Sequence, residues 1–334
     1  MKTALLFPGQ GSQRVGMGRD LAHELASARQ TYEEADDVLG FSLSRLCFEG
    51  PEDELTLTRH AQPAILTTSI AVFRALVERG LGFDVVAGHS LGEWSALVAA
   101  GAMALSDAVR LTHLRGTYMQ DAVPAGQGAM AAVMGLEQAQ LEAVCGRASQ
   151  PGEPVELANL NGAGQIVISG HAAAVDRAIT DARAAGARRA VKLAVSAPFH
   201  CSLMKPAAEQ LAAALAGAPI TAPRVPVVSN VTAEPTADPS RIRELLIQQV
   251  TRPVRWEESV QTMMGLGVTR AYELGPGGVL KGLVKRITAA HGERSETPGG
   301  GDPDGAAGGA GGRVPRGIDT IAIAEPHEVN AFAA

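Results

Sequence analysis

Residues Gly88-His89-Ser90-Leu91-Gly92 constrain this chain more than any other stretch. They follow the apolar run Phe83 to Ala87 and lead into Glu93-Trp94-Ser95-Ala96-Leu97-Val98-Ala99-Ala100. A strand, a glycine-flanked serine and a helix in that order predict a nucleophile elbow. The tight turn needs glycine where a Cβ would clash, and it pushes Ser90 Oγ out of the sheet. The following helix aims its N-terminus at whatever Ser90 attacks. Gly101 stands where a C′ glycine would end that helix. The predicted chemistry is covalent acyl handling. The pattern is short and the chain holds 38 glycines, so the competing reading is an ordinary strand–turn–helix with a serine near the N-cap.

Composition narrows the partners. The net charge is −6 and no basic patch stands out, which argues against a nucleic-acid partner. The 46% hydrophobic content supports a well-buried core, and 334 residues suffice for a large α/β domain or two domains. Cys47, Cys145 and Cys201 are widely spaced, with no CxxC or metal pattern, and read as reduced cytosolic thiols. The N-terminal MKTALLF, cut at Pro8-Gly9, is too short for a signal peptide or a membrane span. A cytoplasmic protein with no membrane partner is expected. Nothing suggests a dimer seam, so a monomer is expected.

Along the chain, Lys2 to Phe7 reads as a first buried strand and Pro8 to Gln13 as a tight polar loop. Helices are expected from about Gly18 to Leu39, over Gln62 to Arg79, and over Ser106 to Met119 with Ser106 as N-cap. Residues 126–196 then change character. Strands over Ala129–Leu136, Val155–Asn161, Gln165–Ser169 and Arg189–Val195 alternate with helices over Glu137–Ala148 and Ala172–Ala185. That β-α-β-β-α-β order is ferredoxin-like. Beyond it come a helix over Ser202–Leu215, a strand over Val225–Asn230, and a helix over Ile242–Val250. A strand within Gly267–Leu274 and a helix to Ile287 follow. The expected architecture is an α/β-hydrolase-like large subdomain with a parallel sheet core, formed by 1–125 and 197–290, with a ferredoxin-like small subdomain, 126–196, inserted. Residues 292–317 are rich in Gly, Pro and charge and read as a disordered loop. Residues 318–334 read as a short last strand and tail.

A serine hydroxyl needs a base. His23, His60 and His113 fall in helical or polar segments, and His291 and His327 flank the Gly-rich loop. His89 adjoins Ser90, but a sharp turn points neighbouring side chains apart. His200 lies in Ser196-Ala197-Pro198-Phe199-His200, where the small unit ends and the large one resumes, and such junctions commonly form clefts. A structural histidine there is the other reading. Arg115, on the helix after the elbow helix, reads first as a surface arginine on an amphipathic helix, with a cleft residue as the other reading. Arg188, Arg189 and Lys192 read as an anion-binding or a solvated strand end.

The segments LLFPGQGSQ (5–13), AQPAIL (61–66), GHSLGEWSAL (88–97), LRG (114–116), GQIVISG (164–170), APFH (197–200), QVTRPVRW (249–256) and ELGPGGVLKGL (273–283) together resemble malonyl-CoA:acyl carrier protein transacylases. The relatives include the acyltransferases of polyketide synthases. The motifs run in the family's order over nearly residues 1 to 290. The resemblance implies a ping-pong reaction in which Ser90 attacks the malonyl thioester with His200 as base, and a carrier protein's phosphopantetheine thiol then takes malonyl from Ser90. It implies an oxyanion hole from the backbone amides of Gln10 and Leu91. His200 would be oriented by the main-chain carbonyl of Gln249 rather than by a carboxylate. Arg115 would hold the malonyl carboxylate, Gln62 would line the pocket, and Phe199 would favour malonyl over branched acyl groups. Malonyl-CoA is then a substrate, acyl carrier protein is the partner, and no bound cofactor or metal is implied. Trp94 stands where relatives often carry Tyr or Phe. A thioesterase or esterase using the same Ser–His site, the malonyl transferase subunit of a malonate decarboxylase, and a docking subunit with a vestigial site are the alternatives.

Overall fold

The computed structural model describes residues 1–195, 197–295 and 317–332. Two sheets organise them. The first has six strands: β1 (Lys2–Phe7), β2 (Val85–Gly88), β7 (Val227–Val228), β8 (Pro235–Thr236), β9 (Val268–Leu274) and β10 (Asp319–Ile323), in the order β10-β9-β1-β2-β7-β8. All pairings are parallel except the edge pair β7–β8. The second comprises β3 (Gly128–Met134), β4 (Val155–Gly162), β5 (Gln165–His171) and β6 (Arg189–Lys192), antiparallel in the order β4-β5-β3-β6. This is the predicted fold class: a parallel-sheet α/β core with a small antiparallel sheet carrying two helices.

The strand sequences explain the layers. Side chains alternate between sheet faces along a strand. In β1, Leu5 and Phe7 join the core that also holds Val86, Val227 and Leu274, whereas Ala4 and Leu6 join Val85, Ala87, Val228 and Ala271 on the opposite face. Both faces are covered, so the central strands read as continuous apolar runs rather than alternating ones. The small sheet divides likewise. Ala129, Ala131 and Val133 pack under helices Gln138–Ala148 and Ala172–Ala184, while Met130, Ala158 and Val167 face the large core. At its β4 edge, Leu160 N–H donates to Val254 O at 2.8 Å and Val254 N–H to Ala158 O at 2.9 Å. Those bonds fix the small sheet to the segment leading into helix Trp256–Gly265.

Several expectations need correction. The helix expected from Ser106 runs Leu105–Asp121, and its N-cap is extended Ala104, with no side-chain cap. Burial of Met103 and Leu105 sets that start in place of a serine cap. The strand expected over Val225–Asn230 is only Val227–Val228; Pro226 has no N–H to give the ladder, and Ser229 and Asn230 leave it to form a turn. The strand expected to reach Val195 ends at Lys192. Helices Leu43–Glu49, Glu52–Thr56, Trp256–Gly265 and Pro326–Asn330 are additional to those expected. Helix Val279–Ser295 passes Ile287 and extends into the start of the expected 292–317 loop. Residues 296–316 of that loop lie outside the described residues. No helix among the described residues is long and apolar enough to cross a membrane.

Candidate active site

The β2-to-helix turn places Ser90 at the C-terminal end of the parallel sheet, where such sheets bind ligands. Its backbone is left-handed at φ 53°, a strained conformation for a residue with a side chain. The flanking glycines are obligatory by contact. A Cβ on Gly88 would lie 1.9 Å from the Gly92 carbonyl carbon, and one on Gly92 would lie 1.9 Å from Phe7 O. Gly88→Ala is therefore expected to destabilise the fold by about 3 kcal/mol, read as a lowered midpoint in urea. An unchanged midpoint would mean that the turn is looser than this.

Ser90 Oγ–H donates to His200 Nε2 at 2.7 Å. His200 Nδ1–H donates to the Gln249 main-chain carbonyl at 2.7 Å, and because a carbonyl only accepts, this bond fixes the ring tautomer. No carboxylate takes that place. His200 is buried and also left-handed, at φ 60°. Burial, reinforced by the Arg115 charge, pushes its pKa down to about 3. The ring thus stays neutral, able to accept a proton, far into acid. The ring-nitrogen NMR shifts of His200 are expected to show no titration near the ordinary histidine value of about 6.5. A midpoint at that pH in the His200 resonances would show a solvated imidazole instead.

Arg115 is 1% exposed, which resolves its two readings in favour of the cleft. Nη1 donates to Gln62 Oε1 at 2.7 Å, and Nη2 donates to Gln249 Oε1 at 3.0 Å and Ser90 Oγ at 3.3 Å. Every one of these acceptors is formally neutral, and Nε has no acceptor among the described residues. Burial lowers the guanidinium pKa to about 10, with the Glu93 charge opposing the shift. A buried cation with neutral partners beside a nucleophile is suited to an anionic group on the molecule attacked.

The loop Pro8–Gln13 closes the other side. A Cβ on Gly9 would lie 2.5 Å from His89 O, so only glycine brings this loop against the elbow. Gln10 Nε2–H donates to Thr58 Oγ1 at 3.2 Å, turning the side chain aside from Ser90. Neither the Gln10 nor the Leu91 N–H has an intramolecular acceptor among the described residues. Gln10, Gln62, Leu91, Phe199 and Arg115 line one cleft of about 340 Å³ with Ser90 and His200. Met130 from the small sheet, with Leu193 and Val195 from the segment that leaves it, forms the facing wall. Gln249 stands behind the cleft, fully buried. All eight predicted site residues are therefore brought together. A larger cavity, about 600 Å³, lies elsewhere, between helix Gln138–Ala148 and Arg252, and contains none of them.

His89 turns away from Ser90 as expected. Its Nε2 meets Asn161 Oδ1 at 2.9 Å, and its ring packs on Trp256. Arg188, Arg189 and Lys192 are exposed, and Lys192 pairs with Asp176 at 2.8 Å. Two buried polar residues were not singled out from sequence. Asn230 Oδ1 accepts from Ser90 N–H at 2.7 Å, and Glu93 Oε2 accepts from Asn230 N–H at 3.0 Å and Gln249 Nε2–H at 2.6 Å. Burial pushes the Glu93 carboxyl up to about 7, against the hydrogen bonds that favour its ionised form. The only local signal was an acidic residue in an otherwise apolar helix.

The profile of the acyl transferase domain family matches residues 4–293. A malonyl CoA-acyl carrier protein transacylase of Bacillus subtilis is 51% identical over 286 residues, covering 86% of this chain and 90% of the relative. One from Escherichia coli is 48% identical over 285 residues, covering 85% and 92%. The crystal structure of an acyl carrier protein S-malonyltransferase from Vibrio cholerae superposes with a TM-score of 0.88 at 43% identity, covering 99% of both chains. A malonyl-transacylase solved in complex with a type II polyketide synthase acyl-carrier protein superposes equally well, at 41% identity, covering 99% of this chain and 98% of that one.

Proposed function

This chain belongs to the acyl transferase domain family, among its malonyl-CoA:acyl carrier protein transacylases, and from that premise we propose how its site moves malonyl from CoA to a carrier protein. Ser90 Oγ attacks the thioester carbonyl carbon while its proton passes to His200 Nε2. The amides of Gln10 and Leu91 hold the oxyanion that develops. The C–S bond breaks, and the CoA thiolate leaves with the proton from His200. A malonyl-serine ester remains. The phosphopantetheine thiol of the carrier protein then gives its proton to His200 and attacks the ester carbonyl. The C–O bond breaks, and Ser90 Oγ recovers the proton.

One observation carries the acyl group's identity: the buried Arg115 guanidinium 3.3 Å from Ser90 Oγ, with only neutral acceptors around it. Malonyl differs from acetyl by a free carboxylate, and a planar guanidinium receives a carboxylate with two parallel hydrogen bonds. Phe199, 7% exposed beside the base, adds bulk near the acyl α-carbon and favours malonyl over methylmalonyl. The reading includes the division into a catalytic subdomain of 1–125 with 197–290 and an insert of 126–196. It also includes a monomer acting in the cytoplasm, in fatty acid or polyketide assembly. CoA and the carrier protein's prosthetic arm enter as substrates, and the chain holds no cofactor of its own.

The test is incubation with malonyl-, methylmalonyl- and acetyl-CoA, with and without several holo carrier proteins, followed by intact mass. The expected result is a malonyl adduct on the chain that persists in buffer and moves to the carrier protein when one is added. Rapid release of free malonate without a carrier would make the protein a thioesterase.

A further inference from the structure

The Ser90 turn is held by a side chain far away in sequence. Asn230 follows β7, whose neighbour in the sheet is β2, and it is fully buried. Its Oδ1 accepts from Ser90 N–H and its Nδ2–H donates to Gly88 O, both at 2.7 Å. One primary amide thus spans the two backbone groups on either side of His89. A left-handed residue between a strand and a helix takes its own N–H out of the ladder and does not yet enter the helix, so that N–H must find another acceptor. Asn230 supplies it.

Asn230 is itself fixed on both sides. Its N–H donates to Glu93 Oε2 at 3.0 Å, and its carbonyl accepts from Arg255 N–H at 2.9 Å. The same Glu93 oxygen accepts from Gln249 Nε2–H at 2.6 Å, and that amide also donates to Ser90 O at 3.0 Å. The serine's N–H and C=O are therefore both bound by buried side-chain amides. Neither amide lies among the residues that line the cleft.

We propose that Asn230 is a positioning residue for the nucleophile: it holds Ser90 in its left-handed conformation, and so holds Oγ at hydrogen-bond distance from His200. Glu93 supports it by fixing its main chain. Asn230 touches no reacting atom and has no part in recognising the acyl carboxylate, which falls to Arg115. The inference uses the Ser90 and His200 roles given above, but not the identity of the acyl group.

The separation of roles gives a distinctive signature. In the full-length protein, Asn230→Ala is expected to slow phosphonylation of Ser90 by a neutral fluorophosphonate about 10- to 100-fold, the cost of misplacing a reacting group. Acylation by malonyl-CoA should fall by the same factor through kcat. The malonyl-to-acetyl ratio should stay at its wild-type value. A labelling rate within threefold of wild type would overturn the proposal, as would a changed acyl ratio.

Asn230→Asp keeps the shape if the alanine variant does not fold. Its carboxyl can still accept from Ser90 N–H, but it can donate to Gly88 O only when protonated. Glu93, which accepts from the main chain of residue 230, disfavours a second charge there, whereas Arg115 opposes protonation. The variant-to-wild-type ratio of labelling rates is therefore expected to rise as pH falls. A ratio independent of pH would overturn the proposal. Failure of wild type to form a malonyl ester while still labelling with fluorophosphonate would reject the malonyl assignment and leave the role of Asn230 standing.

Discussion

Ser90→Ala is expected to abolish the malonyl-enzyme adduct in intact-mass measurements and to lower transfer to carrier protein by on the order of 10⁴-fold or more. The loss is large because no other nucleophile among the described residues is placed to replace it. Cys201 follows the base in sequence, but its thiol is fully buried, donates to Pro198 O, and is pushed up to about 11 by that burial. The fold should survive the change, since among the described residues Oγ forms hydrogen bonds only with His200 and Arg115. His200→Ala should cost about as much, and the double variant should be little worse than either single one, because nucleophile and base act as one unit. A stoichiometric adduct on Ser90→Ala would sink the assignment of the nucleophile.

Arg115→Ala is the second large effect. Malonyl loading should fall by about 10²- to 10³-fold, while acetyl loading changes far less, so the preference between them collapses. Two stability effects compete in this variant. Gln62 Oε1 and Gln249 Oε1 lose their donor, at about 1–3 kcal/mol for each buried group left unpaired. Against this, a cation no longer has to be buried, and a removed desolvation cost of several kcal/mol is of similar size. The expected change in Tm is thus small beside the change in selectivity. Arg115→Lys should not restore malonyl preference, because a single ammonium cannot hold both amide oxygens and a carboxylate in one plane. An unchanged malonyl-to-acetyl ratio in Arg115→Ala would remove it from the carboxylate role.

The parts of the site legible in the sequence are those whose geometry is local. The elbow depends on Gly88, Ser90 and Gly92 within one turn, and the glycines declare the close approach that forces it. Gly101, at φ 75°, ends the elbow helix where its position suggested. The capping box of Glu137 with Gln140 likewise starts the helix over Gln138–Ala148 at the expected place. Ser106 misled because helix entry there follows the burial of Met103 and Leu105, which no local signal announces. Resemblance to known transacylases, rather than spacing, gave Arg115, Gln62 and Gln249 their expected roles. The structure adds that Gln249 serves twice, its carbonyl meeting His200 and its side chain meeting Arg115.

Asn230 and Glu93 escaped notice for a physical reason. A buried asparagine after a short strand and a glutamate in an apolar helix look locally like misplaced polar residues. Their hydrogen bonds form only when β7 lies beside β2, which brings Asn230 to a serine 140 positions earlier.

The sequence by itself determined the layers and the chemistry: apolar runs that require covered parallel strands, an inserted β-α-β-β-α-β unit, and a serine thrust from a glycine-bounded turn. Only the tertiary structure decided which polar groups are paired and which are left for a substrate. Hydrophobic periodicity is written residue by residue along the chain, whereas the pairing of a buried amide or guanidinium depends on neighbours supplied by distant segments. Arg115 shows the difference. Its position on a helix is a local property, but its burial among neutral acceptors beside Ser90 exists only in the assembled fold.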